Sequence, residues 1–421
     1  MSFFALKRIL RSQIMRHSTW MAAGGIIQLV VAFTANLVLV RFIEPEGFGR
    51  YAIAIASITL IMTFFSLRVG VLIIRTEEHA FNDEKKTLYF NVIFQELIVA
   101  GVMSFCVLSV SRLLDWWSGL LLIAVLIGQF ADNNKVFFER QMPYKRLAVI
   151  EAGVNGGGHL LSVGVVLLGG HVAALYLREL FYGIATLVAL RMIGRITWCR
   201  LRFVRIEEWK EILRGVRGAW FDMTFDSSFS RIIMILAGYV GGEKGAGYLF
   251  QAYRLAGIPH QFLAPLATRI SFNWFSRQDN HARRYNGLRT LITYMSVPLL
   301  LAVTVVYMYA DRLVPFLFGD VWAHAAQLLV SLSGYIMFLS LFDLLRVYML
   351  ATDQTRNLVV MRAAQYIGVA TATVPYLMVS GTITETTLGA GVSLAYALAF
   401  VIGVWLIRVH NHINERQRVA W

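Results

Sequence analysis

The sequence predicts an all-α, polytopic membrane protein of about twelve transmembrane helices arranged as two six-helix lobes. Three observations carry that expectation. Of the 421 residues, 57% are hydrophobic and only 15% charged, more apolar surface than a soluble domain of this size can bury. The apolar residues fall in runs near the roughly 20 that cross a bilayer as helix. The basic residues behind the net charge of +14 collect in alternate gaps between those runs. That placement orients membrane helices and argues against a nucleic-acid partner.

The runs begin near Thr19, Tyr51, Leu88, Ser118, Ala148, His171, Ala219, Gly247, Leu288, Val321, Leu358 and Thr386. The basic gaps hold Lys85 and Lys86, then Arg140, Lys145 and Arg146, then Arg191 to Lys210, then Arg277, Arg283 and Arg284, then Arg346 and Arg356. The gaps between them carry few cations: Arg41 and Arg50, Arg112, Lys244, Arg312. An even number of spans with both termini cytoplasmic gives this alternation. The expected organisation is an interfacial amphipathic helix at 1–18, an N-lobe at 19–194, a basic amphipathic cytoplasmic linker at 195–217, a C-lobe at 218–408 and a cytoplasmic tail at 409–421. In the linker, Ile206, Trp209, Leu213 and Val216 share one helical face, suited to the inner leaflet. Cys106 and Cys199 have no metal-site spacing and are expected to stay unpaired.

The stretch RFIEPEGFGRY, Arg41 to Tyr51, lies between the first two runs. Its carboxylates, Glu44 and Glu46, are one reading of a metal site, but a hard cation needs more oxygen ligands than two on so short a loop. Pro45, Gly47 and Gly49 favour a tight turn between helices. A related stretch, GYVGGEKGAGYLFQAYR, follows the seventh run, with Gly247 and Tyr248 in the places of Gly49 and Tyr51. A turn recurring in each half suggests a duplicated six-helix unit, and transporters place substrate between such halves.

These residues also carry a resemblance. Arg41, Ile43, Pro45, Glu46, Phe48, Gly49 and Tyr51 match Arg-x-Leu-x-Pro-Glu-x-(aromatic)-Gly-x-Tyr, the opening of Wzx-type polysaccharide and O-antigen flippases of the multidrug/oligosaccharidyl-lipid/polysaccharide exporter superfamily. GEKGAGYLFQAYRLAGIPHQFLAPLATRI is similar to that family's seventh-to-eighth helix segment. Arg68 departs from the pattern, standing where the family often has a small or apolar residue. The resemblance implies two lobes about a central cavity. It implies transfer of an undecaprenyl-diphosphate-linked oligosaccharide to the periplasmic leaflet of a bacterial inner membrane, and a possible polysaccharide polymerase or chain-length partner. No cofactor is expected, and no Gly-x-x-x-x-Gly-Lys-Ser/Thr is present to bind ATP.

Ionisable side chains inside the runs each cost about 2.5–3.5 kcal/mol at a helix centre and should face a wet cavity or a partner. Guanidinium groups match phosphate oxygens, so Arg68, Arg178, Arg231 and Arg254 are the candidate diphosphate ligands. Amides suit sugar hydroxyls, which selects Asn36, Gln129, Asn155 and Gln251. Glu151, Asp226 and His159 are candidates for a coupling proton. At this spacing, Lys135 with Asp132 or Glu139 is expected as a structural pair. Two other functions compete. A multidrug exporter of the same superfamily should favour acidic and aromatic cavity residues over arginines. A membrane glycosyltransferase or polymerase should have a large outer loop, and none is visible.

Overall fold

The computed structural model describes residues 13–141, 144–278 and 280–419. The interfacial helix expected at 1–18 therefore lies mostly outside the described residues. The chain is all-α, with no strand among the described residues. It forms two compact units: residues 1–44 with 51–232, and 45–50 with 233–421.

In the first unit α1 (Gln13–Phe42) packs on α6 (Tyr144–Leu167), which packs on α7 (Ala173–Met192). Helix α5 (Trp116–Glu139) lies between α7 and α4 (Asp83–Val110). Helix α2 (Pro45–Phe65) and the short α3 (Gly70–Arg75) follow one another across a break. Side-chain caps set the helix starts. Asn82 accepts the Lys85 N–H before α4, and Asp115 and Ser118 form a reciprocal capping box before α5. The core joins Val69 and Ile73 to Tyr89, Phe90, Val92, Ile93 and Phe137.

Helix α8 (Ile206–Ala256) has 51 residues and a non-helical Gly242 at φ 64°. Gly242 breaks it into two helical segments, Ile206 to Gly241 and Glu243 to Ala256. It begins in the expected linker, but Ile212 and Val216 are buried in the first unit's core with Trp209 packed against them. Ile206 and Leu213 remain exposed. The linker is also held by α4. Asn91 donates to the Arg200 carbonyl and accepts the Arg202 N–H, and Gln95 donates to the Arg202 carbonyl. The Arg202 guanidinium grips both oxygens of Glu208 at 2.7 and 2.9 Å and holds that carboxyl below its usual range. A carboxyl depressed on folding contributes above its unfolded pKa, about 4.3, and the contribution fades as pH falls through the folded value. Glu208 also accepts the Arg205 N–H. Amide exchange at Arg205 should therefore be slow at neutral pH and accelerate below about pH 4 relative to its intrinsic rate, and in Glu208→Ala it should be fast throughout.

The second unit continues through α9 (Ile258–Pro265), a π-helical turn at Leu266–Ile270, α10 (Ser271–Ser276), α11 (His281–Phe318), α12 (His324–Ser331), α13 (Ser333–Ala351), α14 (Thr355–Ser380) and α15 (Glu385–Val419). Helix α15 packs against α13 and α14, and α11 against α13. Gly381, at φ 70°, ends α14 in the left-handed conformation glycine adopts without penalty.

Eight described helices are long and apolar enough to cross a membrane, against about twelve expected from the runs. The runs starting near Thr19, Ala219, Gly247 and Leu358 are the difference. In the first, only Gln28–Phe42 is described as apolar helix. The seventh and eighth merge into α8, and α14 carries Arg356 and Arg362. Large apolar side chains are exposed along the helices, among them Val102, Phe105, Leu301, Met308 and Val401, as the surface of a lipid-facing bundle requires.

The two glycine-rich stretches read as turns in the sequence are helical at Gly47, Gly49 and Gly247, and they meet in the second unit, because Pro45–Arg50 belongs to it. A Cβ on Gly49 would lie 1.6 Å from the Glu243 carbonyl oxygen, and one on Gly247 would lie 1.9 Å from that of Pro45. Each glycine thus lies against the backbone four residues before the other, a small-residue helix contact. Arg50 pairs with Glu243 at 3.0 Å and Lys244 with Glu46 at 3.5 Å. Phe48 packs against Phe250 and Trp322. Glu46 is therefore a partner of Lys244 in a helix contact.

Candidate functional site

The backbone of the first unit breaks between α2 and α3. Arg68 there has φ 58°, left-handed and strained for a side chain of this size. Three N–H groups at the break have described partners. Ser66 N–H still reaches the Met62 carbonyl, Leu67 N–H goes to the Glu96 carboxylate at 3.1 Å, and Arg68 N–H goes to Ser66 Oγ at 3.4 Å. The ladder restarts with Val71 N–H on the Arg68 carbonyl. Irregular backbone at membrane depth persists only where such partners replace the missing ones. Glu96 projects from α4 and is only 9% exposed.

The Arg68 side chain is half-buried, and its Nε has no hydrogen-bond partner among the described residues. Arg231, on α8, points to α2: its Nε donates to Thr59 Oγ1 at 2.8 Å, and another nitrogen donates to the Ser227 carbonyl. Both acceptors are neutral. Arg68 and Arg231 feel each other's charge and that of Asp226, and Arg68 also feels Glu96. On the same face of α8 as Arg231, at helical spacing, the buried hydroxyls of Thr224 and Ser228 also lack described partners.

Arg178 is placed differently. It donates to the neighbouring Glu179 at 2.6 Å and to the Tyr51 hydroxyl at 3.1 Å, and Tyr51 in turn donates to Glu179 at 2.9 Å. Gly158 of α6 lies beside the Arg178 side chain here. His159, on the same turn of α6, lies within electrostatic reach of Glu179. This closed network neutralises Arg178 and fastens the tyrosine of the opening motif to α7. Arg254 belongs to the second unit, with its guanidinium 5.8 Å from the centre of the Phe250 ring.

Lys135 bonds to Asp132 at 3.2 Å and to Glu151 at 3.0 Å, and Tyr182 donates to Asp132 at 2.8 Å. Glu151, a candidate for the coupling proton, thus has an ammonium partner from α5. Asp226 is exposed on α8. Of the amides, Asn36 and Gln251 are buried in α1 and α8, while Gln129 and Asn155 are half-buried in α5 and α6. The structure brings together Arg68, Arg231 and Asp226, and separately His159 and Arg178.

Sequence reasoning missed two residues. Glu96 was hidden in the apolar run that begins near Leu88, where the signal was a single carboxylate with no cation one helical turn away. Thr59 was hidden because a lone threonine in an apolar helix is ordinary.

Helices of this length, with charges held at a broken helix inside the first unit, define a multi-pass α-helical membrane protein whose membrane interior is chemically equipped. A family model described as "Polysaccharide biosynthesis protein" matches residues 38–327. That is more than half of the chain, and the chain belongs to this family. It is 24% identical over 332 residues to an uncharacterized membrane protein in the cps region of Klebsiella pneumoniae, covering 74% of this chain and 66% of that protein. It is 23% identical over 336 residues to the lipopolysaccharide biosynthesis protein WzxC of Escherichia coli (strain K12), covering 74% and 65%. The chain thus spans about two thirds of the length of these relatives. The fold is shared with the lipid II flippase MurJ in an inward closed conformation, at a TM-score of 0.69 and 11% identity over 92% of this chain and 87% of that one. It is also shared with an inward-facing multidrug resistance MATE family transporter of the MOP superfamily, at a TM-score of 0.67 and 14% identity over 93% and 99%. The family expected from Arg41 to Tyr51 is the family found.

Proposed function

We propose that the chain is a flippase. It carries undecaprenyl-diphosphate-linked oligosaccharide repeat units from the cytoplasmic to the periplasmic leaflet of a bacterial inner membrane, for O-antigen, exopolysaccharide or capsule. It works by alternating access, without covalent chemistry of its own, with both termini cytoplasmic. The polysaccharide biosynthesis family and the similarity to WzxC support this cargo class. The observation that carries the reading is the pair Arg68 and Arg231. Among the described residues, one presents a buried nitrogen with no partner and the other is bonded only to neutral oxygens. Guanidinium donors left open in a low-dielectric setting are the groups a diphosphate satisfies best. Arg178, already neutralised by Glu179, positions Tyr51, and the cargo role falls to Arg68 and Arg231.

The test is the leaflet on which cargo accumulates. Deleting the gene in a polysaccharide-producing bacterium should leave the lipid-linked repeat unit on the cytoplasmic face, inaccessible to an impermeant glycan label in intact spheroplasts. Accumulation on the periplasmic face would mean that the chain acts after translocation, as a polymerase does, and would overturn the proposal.

A further inference from the structure

Arg231 is held in place by oxygens that carry no charge. Its Nε donates to Thr59 Oγ1 at 2.8 Å, and its Nη1 donates to the Ser227 carbonyl, one turn back on its own helix. Two anchored nitrogens fix the plane of the guanidinium and leave Nη2 for a third group. Arg178 is also fixed, but by the carboxylate of Glu179 at 2.6 Å. A carboxylate orients a guanidinium and cancels its charge. A hydroxyl orients it and leaves the charge for a ligand.

The Thr59 hydroxyl is set up to accept. Its one proton is donated to the Ile55 carbonyl at 2.6 Å, so toward Arg231 the oxygen can only accept. Donating to one group also strengthens it as an acceptor for another. Thr59 lies seven residues before Ser66, close to two helical turns, and so shares a face of α2 with the start of the break that carries Arg68. Arg231 is thereby tied to the face of α2 that leads to Arg68, and the two arginines feel each other's charge. Like charges stay close only where something holds them, and the Thr59 hydroxyl does so without an anion.

We infer that Thr59 is a positioning residue for the diphosphate site: its hydroxyl takes Nε of Arg231 so that the outer nitrogens of the guanidinium meet phosphate oxygens with the charge intact. This rests on the proposed function and deepens it.

The experiment measures binding of farnesyl diphosphate to the full-length protein in detergent, and transfer of lipid-linked repeat units in cells. Thr59→Val keeps the branched shape and removes the acceptor. Its affinity for farnesyl diphosphate should weaken by about tenfold, the lower end of what a hydrogen bond to a charged group contributes, and transfer should fall with it. Thr59→Ser restores the hydroxyl and should bring affinity back to within about threefold of wild type. Thr63→Val is the control for a hydroxyl lost from the same helix. Thr63 donates to the Thr59 carbonyl, and its substitution should leave affinity at the wild-type value. Wild-type affinity in Thr59→Val, or equal weakening in Thr63→Val, would reduce Thr59 to a helix residue and overturn the inference. Tighter binding in Thr59→Val would mean that the hydroxyl competes with cargo for Nε, and would overturn it too. Arg231→Gln separates the inference from the reading beneath it. Unchanged binding there puts the diphosphate site elsewhere, whereas lost binding there beside a wild-type Thr59→Val ends the inference alone. If Thr59→Val cannot be purified, Thr59→Ala, which also lacks the acceptor, takes its place with the same expected result.

Discussion

Gly49→Ala and Gly247→Ala should each destabilise the protein by about 3 kcal/mol or more, because the added methyl has no room to relax. The new carbon would lie 1.6 Å from the Glu243 carbonyl oxygen in one case and 1.9 Å from that of Pro45 in the other. Both obstacles are backbone atoms inside helices, so the helices must separate to admit it. Differential scanning fluorimetry in detergent measures the loss as a fall in unfolding temperature. Gly119→Ala is the control, since nothing lies within 4 Å of a Cβ there and alanine favours helix. The ion pairs flanking the contact should contribute far less. Arg50 and Glu243 have side chains 52% and 39% exposed, and exposed pairs contribute about 0–1 kcal/mol. Arg50→Gln should therefore barely move the unfolding temperature. A Gly49→Ala protein as stable as wild type would show that this close approach does not exist in solution.

Arg68→Gln and Arg231→Gln should each reduce transfer of lipid-linked repeat units by at least about thirtyfold. Removing one partner of a desolvated charged hydrogen bond costs about 2–5 kcal/mol. Complementation of a deletion strain, read as surface polysaccharide, detects this directly. Arg68→Lys should recover only part of the activity, because an ammonium keeps the charge and loses the planar fork. Arg178 should behave in the opposite sense. Its guanidinium is bonded to Glu179 and Tyr51. Arg178→Gln leaves a half-buried carboxylate without its cation and should lower stability by about 3 kcal/mol. The activity of whatever folds should be spared. Equal loss of transfer at wild-type stability in Arg68, Arg231 and Arg178 variants would merge the two groups and end the distinction drawn here.

The class of the protein was legible in its sequence because lipid imposes a one-dimensional rule. Spans must be apolar over a fixed length, and the basic gaps must alternate. In the Arg41–Tyr51 motif the break at Ile43–Glu44 was legible from Pro45, which opens α2, but Gly49, read as a turn residue, lies inside α2, where its missing Cβ admits a neighbouring helix. Arg68, Arg231 and Asp226 were legible as charges in apolar runs. Eight described helices meet the length and hydropathy of a span; the seventh and eighth runs lie within α8, and α14 dilutes its apolar run with arginine.

Tertiary structure alone decided which charges were already matched. Arg178 and Arg68 look alike in an apolar run, yet one has a carboxylate at 2.6 Å and the other a buried nitrogen with no partner among the described residues. It also decided that Lys135 engages Glu151 as well as Asp132, and that Glu96 serves a break 29 residues before it. Hydropathy and charge alternation act along the chain and are written in it. Neutralisation of one side chain by another depends on which helices meet, and at which turn, and the folded bundle sets that.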